Sequence, residues 1–420
     1  MYTPAIPAVW VLLGVLLGLT QNVTMTWAAE AAPVSYSLEN ILTVVMERNP
    51  TLAAARGALR QSHGQEIAAS AYPNPSIFGS AGHGSIRDPS TGVSIIERTI
   101  TFQQPLEWIG IRQARREAAE AGVAGATAAL EDARLALVAE TKAAFYFLLF
   151  AQRDQALAAQ NLTSVQEVLR LVEKRVAAGE ATSFEAMKAG VEKQKAQKDL
   201  SRARHALLVA QTRLDTLTAG ALGKEFTLQG DFLSPSGSLE LERLTARAMD
   251  VHPTILRLAK LAEQADHSLR FERAARIPNI SLLGSYHREA GDESVIAGLS
   301  VPLPLWYQRQ GEIETALGTK YRAEAEREHA QRELEQAIVQ HTQEVRTAED
   351  QLRVFESGLL EQAEKTLSVA RVSFREGAAS LLDVLDAQRV HRQTMLEYAQ
   401  ARTDLSIALV RLERVVGFPL

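Results

Sequence analysis

Arg175-Val-Ala-Ala-Gly179-Glu-Ala-Thr182-Ser-Phe-Glu185 and Ser373-Phe-Arg-Glu-Gly377-Ala-Ala-Ser380-Leu-Leu-Asp383 are one helix-reversal signature written twice. In each, a long helical pattern stops at a glycine, Gly179 or Gly377, and a new helix opens three residues later on Thr182 or Ser380. Glycine accepts the positive φ that ends a helix, and a hydroxyl at the next helix start satisfies an orphan backbone N–H. An acid three positions further on, Glu185 or Asp383, completes a capping box. A chain that builds the same hairpin tip twice uses those tips as a matched pair.

Proline placement extends the pattern outward. No proline lies between Pro105 and Pro235, or between Pro304 and Pro419. Proline inside a helix costs about 3 kcal/mol, so long proline-free spans rich in Ala, Leu, Glu, Arg and Gln predict helices. Two very long ones are expected, over 110–178 and 308–376, each running roughly 100 Å at the standard rise. Return helices follow over 183–219 and 381–416. Leu162, Leu169 and Val176 recur every seven residues, as do Leu360, Leu367 and Phe374, the spacing of helices packed as in a coiled coil. Each member of the second triplet lies 198 positions after its counterpart, and the same offset relates Gly179 to Gly377 and Thr182 to Ser380.

The repeat continues upstream. Ser37-Leu-Glu through Arg48-Asn-Pro50 resembles Ser238-Leu-Glu through Val251-His-Pro253, and Tyr72-Pro-Asn-Pro-Ser76 resembles Ile277-Pro-Asn-Ile-Ser281. Residues 37–219 and 238–417 therefore read as two copies of one unit, joined by a linker over 220–237. In each copy, β-branched and aromatic runs bounded by Gly, Asp and Pro predict a β-hairpin before the long helix: Ser76–Ala81 with Val93–Phe102, and Ile280–Tyr286 with Val295–Val301. An open four-stranded sheet cannot sit in lipid, because its edges leave backbone groups unsatisfied. Three chains would close it with twelve strands.

Composition narrows the function. The net charge of −5 is spread over mixed-sign helices, which argues against a nucleic-acid partner. There is no cysteine, hence no disulfide, thiolate metal site or lipid-anchoring thiol. The apolar run Val9 to Leu19 is too short to span a bilayer, and small residues around Thr26-Trp-Ala-Ala-Glu-Ala31 offer cleavage points. Residues 1–29 are expected to be a secretory signal peptide, although no Lys or Arg precedes the apolar run. No later stretch is expected to be long and apolar enough for a membrane helix. No nucleophile–base pair or phosphate loop is visible, so neither enzyme activity nor a cofactor is expected. The nine histidines show no ligand spacing, and no metal site is expected.

The order of elements, the duplication, and Phe374-x-x-Gly377-x-x-Ser380-x-x-Asp383-Val-Leu-Asp386-Ala387 resemble the outer-membrane efflux protein (TolC) family over essentially the whole mature chain. Pro73-Asn-Pro75, Gln104 to Arg112 and Pro302-Leu-Pro-Leu-Trp306 look most like its heavy-metal branch (CzcC/CusC-like). The resemblance implies a mainly α fold with a small β part. Duplicated long helical hairpins would form a trimeric tunnel in the periplasm of a Gram-negative bacterium, with two β-hairpins per chain in a twelve-stranded transmembrane β-barrel. It implies a homotrimer in outer-membrane lipid, passively exporting substrate, heavy-metal cations by the branch resemblance, from an inner-membrane RND-type pump and a periplasmic adaptor. Multidrug or type I secretion export is the alternative, and a periplasmic coiled-coil scaffold a further one.

Individual residues carry both readings. Gly179, Thr182, Gly377 and Ser380 serve helix reversal, and as bare tips they are candidate adaptor contacts. Thr182 with Glu185 and Ser380 with Asp383 are expected as caps. Asp383 also matches a family position whose carboxylates ring the closed pore. Asp386 lies one turn further along, where no cap is needed, and its counterpart in the first copy is Lys188. Asp383 and Asp386 are thus the candidate pore constriction, against a solvated helix acid for Asp386. Lys188, Arg371 and Arg375 are candidate gate partners.

Overall fold

The computed structural model describes residues 34–85, 94–223, 226–234, 239–289 and 291–420. The expected signal peptide and part of the expected linker lie outside them. The first half runs β1 (Val34–Tyr36), α1 (Leu38–Arg48), α2 (Pro50–Ser70), β2 (Ser76–Ser85), β3 (Ser94–Leu106), α3 (Ile109–Ala177) and α4 (Ser183–Leu217). The second runs β4 (Phe226–Leu228), α5 (Leu241–Val251), α6 (Pro253–Ala274), β5 (Ile280–Glu289), β6 (Asp292–Ser300), α7 (Gln310–Val354), a π-helical turn (Phe355–Leu359), α8 (Leu360–Arg375) and α9 (Leu381–Val416). The protein is mainly α with a minor β part.

The same local chemistry starts corresponding helices. Asn49 caps α2 by accepting from Thr51 N, and Pro50 occupies the first helical turn, where no N–H is missed. His252 does the same for α6 through Nδ1, which accepts from Thr254 N, ahead of Pro253. Burial of His252, followed by the charge of Arg414, lowers its pKa and keeps that nitrogen an acceptor.

At the sheet end, α2, α3, α6 and α7 pack side by side; towards the tips the neighbours are α4, α3, α9 and α8. Two apolar cores follow the duplication. One gathers Ile41, Val45, Phe145, Tyr146, Leu214 and Phe226, the other Ile255, Ile338, Val345, Leu405, Leu412 and Val416. Ion pairs Lys142–Glu413, Arg414–Asp132 and Arg392–Asp199 join the halves.

Two sequence expectations change, and one strand pairing is new. The second long helix is not continuous: it breaks at the π-helical turn, where Gly358 has φ 130°. Ser357-Gly358 is the cause, since Gly–Ser pairs are where helices kink, whereas α3 carries Ala159-Gln160 at the same repeat position. A stretch of α3 is apolar and long enough to cross a bilayer by composition, contrary to expectation. It holds Phe145, Tyr146 and Leu148, which are core residues, and 44% of the stretch is buried inside the protomer. The parallel pair β1–β4, with Val34 opposite Phe226, was not expected.

The four longer strands form one sheet in the order β2-β3-β5-β6, with both hairpins antiparallel. The hairpins join through β3 and β5, leaving β2 and β6 as edges. Where strand passes to helix, Arg115 holds Glu107 and the Ala69 and Ala71 carbonyls, closing the end of α2. Gln104 donates to the Pro73 carbonyl, and Trp108 donates to the Pro278 carbonyl in the other half.

Candidate functional site

The two tips are geometric copies. Gly179 has φ 77° and Gly377 φ 79°, the left-handed conformation that glycine adopts without strain. Glu180 N donates back to Arg175 O, and Ala378 N to Ser373 O, so both helices end in the same six-to-one bond. Thr182 and Ser380 are N-caps, and in each the hydroxyl accepts from the backbone of Glu185 or Asp383 while the acid accepts in return. A side chain at Gly179 would meet nothing within 4 Å, so this tip presents bare backbone to its surroundings.

The tips also share a core. Val168, Val172, Ala189, Phe374, Leu381 and Val384 pack together, so both hairpins end on one apolar cluster. Arg175 lies over the Phe374 ring, 5.3 Å from its centroid, and donates to the Phe374 carbonyl.

The two acids near the second tip differ in their partners. The Ser380 hydroxyl, and then its backbone N–H, hold the Asp383 carboxyl below the usual carboxylate range. Asp386 is 55% exposed and pairs with Arg389 on its own helix. Lys188 and Asp386 line one groove between α4 and α9, together with Glu192, Lys195, Asp199 and Arg392. Arg371 donates to Ser164 Oγ, and it lines a second groove with Arg375 and Phe374. Among the described residues no ion pair joins Asp386 to Lys188, Arg371 or Arg375 within the protomer.

Two features escaped the sequence reading. Arg389, three residues from Asp386, is its partner, a spacing that was available as a signal. Gln388 is 5% exposed, and both its amide atoms lack a hydrogen-bond partner among the described residues. Its helical phase alone carried no sign of that burial.

The sheet has two unlike faces, read directly from its register. On one lie Ile77, Ile100, Phe102, Leu282, Tyr286, Val295 and Leu299, all exposed. On the other lie Ser80, Thr99, Thr101, Gln103, Ser281, Ser285, His287 and Ser300, interrupted by Phe78, Leu283 and Ile296. Strands of 9 to 13 residues match a tilted bilayer crossing. The tip-half helices also leave apolar side chains uncovered: Phe184, Met187 and Val191 on α4, Val369 and Val372 on α8. Among the described residues no His, Asp or Glu cluster converges to hold a metal ion.

The Outer membrane efflux protein family model matches residues 42–220 and 244–418. The chain is 25% identical over 383 residues to the cobalt-zinc-cadmium resistance protein CzcC of Cupriavidus metallidurans, covering 91% of this chain and 90% of that one. It is 24% identical over 443 residues to the pyoverdine export outer membrane protein OpmQ of Pseudomonas aeruginosa, covering 98% and 90%. A crystal structure of CusC superposes with a TM-score of 0.78 at 18% identity, covering 92% of this chain and 93% of that one.

Proposed function

The chain belongs to the outer membrane efflux protein family, an outer-membrane channel with its helices in the periplasm, and from that premise we propose that three copies export heavy-metal cations passively. Substrate would arrive from an inner-membrane RND-type pump through a periplasmic adaptor docked at the tips. One observation carries the assembly: an amphipathic four-stranded sheet with two unpaired edges, β2 and β6. In lipid those edges must be paired, and β6 of one protomer beside β2 of the next closes a ring without residue. Three copies supply twelve strands, and the same operation buries the apolar margins of α4 and α8 against one another.

The exposed carboxylates near the second tip support cation passage. In a trimer, Asp383 and Asp386 place six acids around one axis, an arrangement that attracts cations and repels itself when empty. Arg389 tempers this by pairing with Asp386 in the protomer. The cobalt-zinc-cadmium resistance relative, matched over nine-tenths of its length, supports metal as cargo. The pyoverdine export relative favours a second reading, a channel for larger organic molecules, in which the same acids serve only to keep the tip hydrated.

Conductance separates the two readings. Asp386→Asn in planar bilayers should lower the cation-to-anion permeability ratio several-fold. An unchanged ratio and an unchanged pH response remove Asp386 from the constriction. In cells, loss of the gene should sensitise the host to divalent metals; sensitivity only to organic compounds would favour the second reading.

A further inference from the structure

Near the hairpin turns, the outward face of the sheet changes chemistry. The register sets Ala81, Arg98, Arg288 and Glu293 in one row across all four strands. These residues have the same parity as Ile77, Ile100, Tyr286 and Val295, so they share the apolar, lipid-directed face. Arg98 and Arg288 are directly opposed partners, one from each half of the chain. His83, exposed on the same face, is the diagonal neighbour of Arg98. Glu293 lies 3.6 Å from Arg288 and leaves the row with an excess of positive charge.

The row's height follows from strand geometry. It lies eight residues from the Leu106–Ile280 row at the helix end. At about 3.4 Å per residue and a tilt near 40°, that is roughly 20 Å along the barrel axis, close to the limit of an apolar band about 25 Å tall. Tyr286, one same-face position inward, sits where aromatic girdles occur. Like charges directly opposed across strands are unfavourable unless an anion lies between them. Two guanidinium forks on one face match a phosphate, which each can hold bidentately.

We propose that His83, Arg98 and Arg288 form a seat for the phosphorylated headgroup of an outer-leaflet lipid, one seat per protomer where the two hairpins meet. This rests on the strands entering the outer membrane with their turns outward. The seat would anchor the channel's height in the bilayer and order the lipid collar around it.

The test uses the full mature chain in vesicles of phosphatidylcholine containing bis-phosphorylated lipid A, with its dephosphorylated form as comparator. Flotation first reports insertion; a chain that fails to float refutes the membrane reading and the seat together. For inserted protein, native mass spectrometry reads retained lipid. Wild type should keep the phosphorylated form, the double variant R98Q/R288Q should lose it on the order of 30-fold, and Glu293→Gln should strengthen it. The proposal is overturned if both lipid forms are retained equally. It is also overturned if R98Q/R288Q inserts and binds like wild type, or if millimolar inorganic phosphate displaces the lipid, marking a simple anion site.

Discussion

The two halves of the chain build the same tip on different supports. The first tip stands on α3, unbroken from Ile109 to Ala177. The second stands on α8, separated from α7 by the turn at Phe355–Leu359. One turn past the caps they differ again, with Lys188 in the first half and Asp386 in the second. The two halves therefore share the reversal and its caps, whereas only the second has a break in its support and an acid near its end. A continuous helix supports the first tip and a broken one the second, while both tips end on one apolar cluster.

The largest test of that contrast lies in the shared tip core. Phe374 is buried there and its repeat counterpart Val176 is only partly so. Phe374→Ala should cost about 3–5 kcal/mol in denaturant unfolding of the detergent-solubilised protein, and Val176→Ala less than half as much. Equal costs would mean that the tips carry equal loads.

The break can be removed by giving the second half the first half's residues, Ser357→Ala with Gly358→Gln. If the helix re-forms, losing an interior glycine gains about 1 kcal/mol; if φ 130° persists, the new side chain strains it by a similar amount. Spin labels at Glu180 and Glu376 should report a changed and narrower tip-to-tip distance distribution. An unaltered distribution would assign the turn to its neighbours instead of to Ser357-Gly358.

Acid should also split the halves. The folded pKa of His252 is depressed, so its stabilising neutral form is fully favoured above the ordinary histidine value, about 6.5, and is opposed as pH falls below it. Asn49, in the same position of the first half, does not titrate. Hydrogen exchange around residues 248–254 should rise below about pH 6.5 while residues 45–51 stay protected. His252→Asn should abolish the difference.

The smallest effect should be the same in both copies. Thr182→Ala and Ser380→Ala each remove one cap and should cost about 1 kcal/mol locally. Because Asp383 has a lowered pKa, its share of the second cap is present above about pH 4 and fades on further acidification.

Much of this architecture was legible because it is local. Glycine, hydroxyl and acid at fixed offsets specify a reversal whatever surrounds them, and the copies confirm one another, as Gly179 and Gly377 do in φ. The hairpin strands were also visible, since turn residues bound β-branched runs. Even the break at Ser357-Gly358 has a local cause, a Gly–Ser pair inside a proline-free span.

Only the tertiary structure could decide what depends on distant partners. The parallel pairing of three-residue strands β1 and β4 has no local period to announce it. The join of β3 to β5 decides which face Arg98 and Arg288 share, because a slip of one residue would move every side chain of one strand to the opposite face of the sheet. The burial of Gln388 depends on packing around α9. The sequence by itself determined two capped hairpins and two strand pairs, since those follow from contacts within a few residues; which surfaces remain open to lipid, to a partner or to the channel axis was set by long-range packing.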